Sequence, residues 1–345
     1  MDTGNDMVTE LVRRALDAPD RHTSENLLRR GAEADAHGAV ERAGDLLRSP
    51  QPLERALGCD LLGFASDAHE DVRAEASVAL TALAARDSDP DVLCSLARAL
   101  EQTEDPRAVP ALVALAEHED SEVRQRTAIA LGGFTDRPSD GPSDGPLVHA
   151  LIALTRDADP DVRDWAMFSL GFRSGADTPA VRAALWERTR DADPDARAEG
   201  IRGLARRRDP RAAALLCELL ADPDGAEVLT FRAAEILGAP ELLPLLHDHD
   251  PHDHGVAEAI AACDPARRAR HDEAAWTLVR TLEQLRPELA PAVWATRCEP
   301  GVTLGLGSGP GAPVYDVVAL LARAGDDPLR AAELVDGDHP LTIGR

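Results

Sequence analysis

Residues 159–171 read Asp-Pro-Asp-Val-Arg-Asp-Trp-Ala-Met-Phe-Ser-Leu-Gly, and variants of the phrase return along the chain. Its opening is suited to starting a helix. Asp159 can accept backbone N–H bonds as N-cap, Pro160 fits the first helical position, and Asp161 complements the positive end of the helix dipole. Val162, Ala166, Ser169 and Leu170 then share one helical face. The same offsets recur from Val123 (Thr127, Ala130, Leu131), Val92 (Leu96, Ala99, Leu100), Ala196 (Gly200, Gly203, Leu204) and Leu229 (Ala233, Ile236, Leu237), with a degenerate copy from Glu54 (Gly58, Leu61, Leu62). Gly132, Gly171 and Gly238 close three copies and are expected to stop their helices.

The five anchors from Val92 to Leu229 are 31, 39, 34 and 33 residues apart, and the long interval holds an insertion at 136–146, Asp-Arg-Pro-Ser-Asp-Gly-Pro-Ser-Asp-Gly-Pro. Without it, each unit has room for two short helices and two turns. The first helices are read at 108–116, 147–155, 179–189, 210–220 and 240–247. No single pair can bury its own apolar stripe, so the pairs must stack. The fold class is therefore all-α: an α-solenoid, or superhelix, of about seven stacked antiparallel helix pairs with divergent helical caps. Residues 1–34 are expected to be N-terminal capping helices and 35–254 the repeats. Residues 255–345 are expected to be a divergent C-terminal helical cap, with a helix at 271–285, a Gly/Pro-rich loop at 303–313 and a helix at 314–324.

Composition agrees with a helical reading. Of 345 residues, 44% are hydrophobic but only 3% aromatic, the apolar content being mostly Ala, Leu and Val. All 37 cationic residues are Arg, set against 62 Asp and Glu, for a net charge of -25. Such a surface repels nucleic acid and anionic membranes and favours a basic partner. Five scattered cysteines, with no Cys-x-x-Cys pair, read as small core residues in a reducing compartment. Residues 1–16 carry no apolar run of signal-peptide length and no segment has the length of a membrane span, so a cytoplasmic location is expected.

The phrases Asp159-Pro160-Asp161-Val162-Arg163 and Ser121-Glu122-Val123-Arg124 resemble the HEAT-repeat signature, in the short bacterial variety called phycobilisome-lyase-like, over about residues 35–250. The resemblance implies a ladder of aspartate and arginine between adjacent repeats, placed on Asp159, Arg163, Asp120, Arg124, Asp193 and Arg197. Leu93 and Thr230 stand where two arginines would be, and the ladder is expected to break there. The label names a fold. Deoxyhypusine hydroxylase, a HEAT-like di-iron enzyme, has His-Glu pairs directly after the Val-Arg position. This chain has Cys94-Ser95, Gln125-Arg126, Asp164-Trp165 and Ala198-Glu199 there, and its pairs at His69-Glu70 and His118-Glu119 fall elsewhere. That activity is rejected.

The expected function is a non-catalytic scaffold or adaptor that binds a protein or peptide on the concave face of the second helices, through Arg124, Arg126, Arg163, Asp164, Trp165, Arg197 and Arg202. No cofactor is expected. One alternative is a bilin-lyase-like or other HEAT-fold enzyme, although no pigment-holding motif or nucleophile stands out. The other is metal or nucleic-acid binding. Here the candidates are the turn His247, His249, His252 and His254 for metal, and the basic spots Arg206-Arg207-Arg208 and Arg267-Arg268-Ala269-Arg270 for nucleic acid, against which the net charge weighs. Trp165, Phe168 and Phe172 read either as inter-repeat core or as an aromatic anchor. The glycines of 305–311 are read as lacking the preceding strand, the Lys and the following helix of a phosphate loop, and so as a flexible connector.

Overall fold

In the computed structural model the described residues are 3–135, 145–222, 226–294, 303–307 and 313–335, and the side chains of residues 3–5 and 294 are not described. The insertion at 136–146 therefore lies, apart from Gly145 and Pro146, outside the described residues, as does Cys298. The chain forms two compact units, 1–200 and 201–345.

In the first unit, α1 (Thr3–Leu16) and α2 (Arg21–Ala34) precede the helix pairs. The pairs are α3 (Ala36–Leu46) with α4 (Pro52–Ala68), α5 (Arg73–Ala84) with α6 (Pro90–Gln102), α7 (Val109–Leu115) with α8 (Ser121–Gly133), α9 (Pro146–Leu154) with α10 (Pro160–Phe168), and α11 (Pro179–Arg188) with α12 (Pro194–Arg206), whose last turns belong to the second unit. The second helices α4, α6, α8 and α10 pack side by side. Burial follows the repeating offsets: Val92, Leu96, Ala99 and Leu100, then Val123, Thr127, Ala130 and Leu131, then Val162, Ala166, Ser169 and Leu170 are all fully buried. One apolar face per helix, repeated at near-constant spacing, thus becomes a continuous core. The fold class is the α-solenoid that the sequence implies.

The caps match the phrase. Asp89, Asp120, Asp159 and Asp193 each accept from two backbone N–H groups of the turn they open. The glycines correct one expectation. Only Gly238 ends its helix in the left-handed conformation, at φ 58°. Gly132 lies inside α8, where a Cβ would sit 2.5 Å from Ser169 Oγ, and Gly171 lies within a π turn. At Gly132 the missing side chain serves close helix approach, and at Gly171 the chain is still coiling.

The second unit contains α13 (Pro210–Ala221) with α14 (Val228–Leu237) and α15 (Leu243–Leu246) with α16 (Val256–Cys263), then α17 (Pro265–Leu285). The region after α17 differs from the expected helices and loop. Strands β1 (Pro291–Trp294), β2 (Thr303–Leu306) and β3 (Val314–Asp316) form an antiparallel sheet in the order β1-β2-β3, so Gly305 lies in a strand, and α18 (Val317–Arg323) starts three residues later than expected, with α19 (Pro328–Val335) after it. Leu304 pairs with both Val293 and Tyr315. With Leu278, Leu282, Leu320, Leu321 and Ala331 it fills a separate small core. A short strand run with glycine carries little periodicity, so this hairpin was not legible in the sequence.

Candidate functional site

Of the arginines expected on the second-helix face, two are occupied in holding the repeats together. Arg124 donates to Asp157 in two parallel bonds of 2.7 and 2.8 Å, and to the carbonyls of His118 and Glu119. Arg163 makes the equivalent pair with Asp191 at 3.0 and 2.9 Å, and reaches the carbonyls of Asp157 and Ala158. Arg55 pairs with Asp87 in the same way. Each links one helix pair to the next, and each is mostly buried. Arg197 donates to the carbonyl of Asp191.

These pairs correct the ladder in one respect. The acceptor is not the N-cap aspartate but the aspartate two residues before it, in Asp87-Ser-Asp89, Asp157-Ala-Asp159 and Asp191-Ala-Asp193. Each of these carboxylates also accepts the N–H of its N-cap residue. Burial alone would raise the pKa of Asp87, Asp157 and Asp191, but the guanidinium and the N–H groups outweigh it and hold all three below the ordinary value. At the one step where Leu93 replaces the arginine, His118 replaces the aspartate, and its Nδ1 still accepts the N–H of Asp120 at 3.1 Å. The turn bond survives the loss of the ion pair. The repeated Asp-x-Asp-Pro was visible in the sequence, but it gave no sign of which aspartate reaches across.

The second-helix face of the first unit changes character along its length. At the α2–α4–α6 end it is locked by charge. Arg98 of α6 pairs with Asp60 of α4 at 2.7 Å and Glu25 of α2 at 2.8 Å, and the Arg29 guanidinium lies 4.3 Å from the centre of the Phe64 ring. Farther along, Glu101 of α6 meets Arg173 at 3.0 Å. Gly133 of α8 leaves room for this contact, since a Cβ there would sit 2.7 Å from Glu101 Oε1. Burial raises the Glu101 carboxyl pKa despite Arg173.

Arg173 ends the π turn Ser169–Arg173, closed by the Ser174 N–H donating to the Ser169 carbonyl at 2.9 Å. α10 and this turn carry an aromatic stripe. Trp165 meets Phe168 edge-on at 5.8 Å and Phe168 stacks on Phe172 at 5.4 Å. Phe168 and Phe172 are half-buried, whereas Trp165 is 36% exposed. The structure thus brings Trp165 and exposed Arg126 to one unit, with Asp164 half-buried and engaged by a neighbour. Arg202 lies in the second unit. Trp186 is engaged elsewhere, 4.6 Å beneath Arg190.

The histidine turn does not gather. His249 Nε2 lies 3.1 Å from the Leu220 carbonyl, and its ring meets Phe231 edge-on at 5.1 Å. Among the described residues no three His, Cys, Asp or Glu side chains come together as a metal requires, and no helix is long and apolar enough to cross a membrane. Burial pushes the thiols of Cys94 and Cys263 up to about 11 and about 12, and that of Cys59 well above its usual value.

Comparison with known proteins bears out the repeat pattern. The family model described as HEAT repeats matches residues 76–143 and 148–238. Over those residues the chain is similar to HEAT repeats. Protein YibA of Escherichia coli K12 is 31% identical over 124 residues, and so is its counterpart in strain O157:H7; the match spans 36% of this chain and 41% of the relative, less than half its length. The X-ray structure of E. coli YibA superposes with a TM-score of 0.57 at 24% identity, covering 75% of this chain and 94% of that one, a likeness of fold alone. The complex of CpcE and CpcF of phycocyanin lyase from Nostoc sp. PCC7120 gives a TM-score of 0.39 at 18% identity, over 65% of this chain and 86% of that one, too loose to carry an argument.

Proposed function

We propose that this HEAT-repeat chain is a non-catalytic scaffold that holds a protein or peptide on the second-helix face of its first unit, with Trp165 as the anchor. The observation that carries the reading is the exposure of Trp165 at the head of the stripe it forms with Phe168 and Phe172. Stacking repeats does not require a large aromatic at this position. The equivalent residues on the helices before it are Ser95 and Arg126. A partly exposed Trp backed by ordered aromatics has the area and rigidity of an interface hot spot.

Affinity capture from the native host with wild-type and Trp165→Ala chains, followed by mass spectrometry, tests this. Proteins held by the wild type and lost from a variant with unchanged helical content support the scaffold. An identical set on both chains removes Trp165 from the interface. A collapse of the variant's thermal midpoint would make Trp165 a packing residue.

A further inference from the structure

The face left after Arg124 and Arg163 turn inward differs in charge from the sequence expectation, and that difference bears on what Trp165 holds. Asp161 stands one helical turn before Trp165 on α10, so the two side chains are neighbours on the same surface stripe. Glu122 of α8 and Asp195 of α12 occupy the same position of their helices as Asp161, two residues after the N-cap. All three carboxylates are exposed, and none is in an ion pair among the described residues. Arg126 of α8, also exposed, carries the opposite charge. The electron-rich face of an indole attracts a cation, and a carboxylate beside it completes the pairing. The net charge of -25 steers cations toward the surface from a distance.

We propose that Trp165 and Asp161 form a subsite for a cationic side chain, arginine or lysine, of a basic segment in the protein partner, with Glu122 and Asp195 holding further cations of the same segment. The subsite rests on the scaffold reading and gives its partner a chemistry. Phe168 and Phe172 continue from Trp165 along the stripe, so the segment combines basic residues with apolar ones.

The test is titration of the full-length chain with three fluorescein-labelled nine-residue peptides that alternate Leu with Arg, Glu or Ser, followed by anisotropy. Binding of the Arg peptide alone is expected. It should weaken about fivefold or more in Trp165→Ala and in Asp161→Asn, be largely retained in Trp165→Phe, and fall as salt rises. Equal binding of the Arg peptide to wild type and both variants would reduce the attraction to diffuse charge and overturn the subsite. So would preference for the Glu or Ser peptide, or no binding at all. In each of those cases Trp165-dependent capture of a host protein would still uphold the scaffold, so the two readings fail separately.

Discussion

Arg124 and Asp157 meet across two helix pairs in a bidentate pair while the same guanidinium closes its own turn by donating to the carbonyls of His118 and Glu119. One side chain therefore fixes both a turn and its distance from the next. Burial without a partner would be costly for either charge, and each is satisfied only while the repeats are in register.

Removing one partner should expose that dependence. Breaking a fully buried pair costs about 3–5 kcal/mol. This one retains slight exposure on both sides, so Arg124→Ala is expected to lose about 2–3 kcal/mol. Asp159→Ala, which removes only a cap, should lose about 1 kcal/mol. Urea denaturation orders the two, and equal losses would show that Asp157 contributes no more than a turn.

Installing the missing link should reveal coupling. Leu93 is 1% exposed and fills its site well, so Leu93→Arg alone should destabilise, and His118→Asp should do little. Together they place a guanidinium opposite a carboxylate. A double-mutant cycle is expected to give a favourable interaction of about 1 kcal/mol or more, whereas additive losses would show that the α6–α8 step cannot accept the pair.

Acid stability follows from the lowered pKa values of Asp87, Asp157 and Asp191. A carboxylate held below its unfolded value contributes stability that is complete above that value and lost as pH falls through the folded one. The unfolded chain takes up these protons near 3.8, so the ladder's contribution should disappear below about pH 4. Glu101, raised by burial, has the opposite sign and gains from protonation. Thermal midpoints from pH 7 to pH 3 should fall more steeply for wild type than for Arg124→Ala, and parallel curves would contradict the assignment.

Gly132→Ala sets helix propensity against space. Propensity favours Ala by about 1 kcal/mol, but the added Cβ would lie 2.5 Å from Ser169 Oγ and 3.0 Å from its Cβ. A net loss of about 1–2 kcal/mol is expected from overpacking. Ser169→Ala in the same chain should recover part of it despite losing the bond to the Ala128 carbonyl. Failure of that rescue would place the strain on the backbone.

The repeat was legible because its signals are local. The N-cap Asp, the Pro at the first helical position and the i, i+4, i+7, i+8 apolar offsets each act within one helix, and α6, α10 and α12 start where they place them. By contrast, α14 begins at Val228, behind Glu227 and without a side-chain cap, and not at Asp222-Pro223. What escaped the sequence is set by contacts between units of the repeat. Nothing within the phrase tells Asp157 from Asp159, and nothing in Ser169-Leu170-Gly171-Phe172-Arg173 announces a π turn whose last residue meets Glu101, 72 residues away. The candidate site suffered most, because Arg124 and Arg163 look exposed by spacing and are withdrawn by pairing.

The coincidence of Leu93 with His118 gives the array a grammar. Arg55, Arg124 and Arg163 are interchangeable plugs and Asp87, Asp157 and Asp191 interchangeable sockets, so whole helix pairs could be gained, lost or exchanged among those steps with every connection remade. The Leu93–His118 step carries a different plug and socket. A pair moved across it would strand an arginine against an imidazole or leave a carboxylate facing leucine, which gives this joint its own order of assembly.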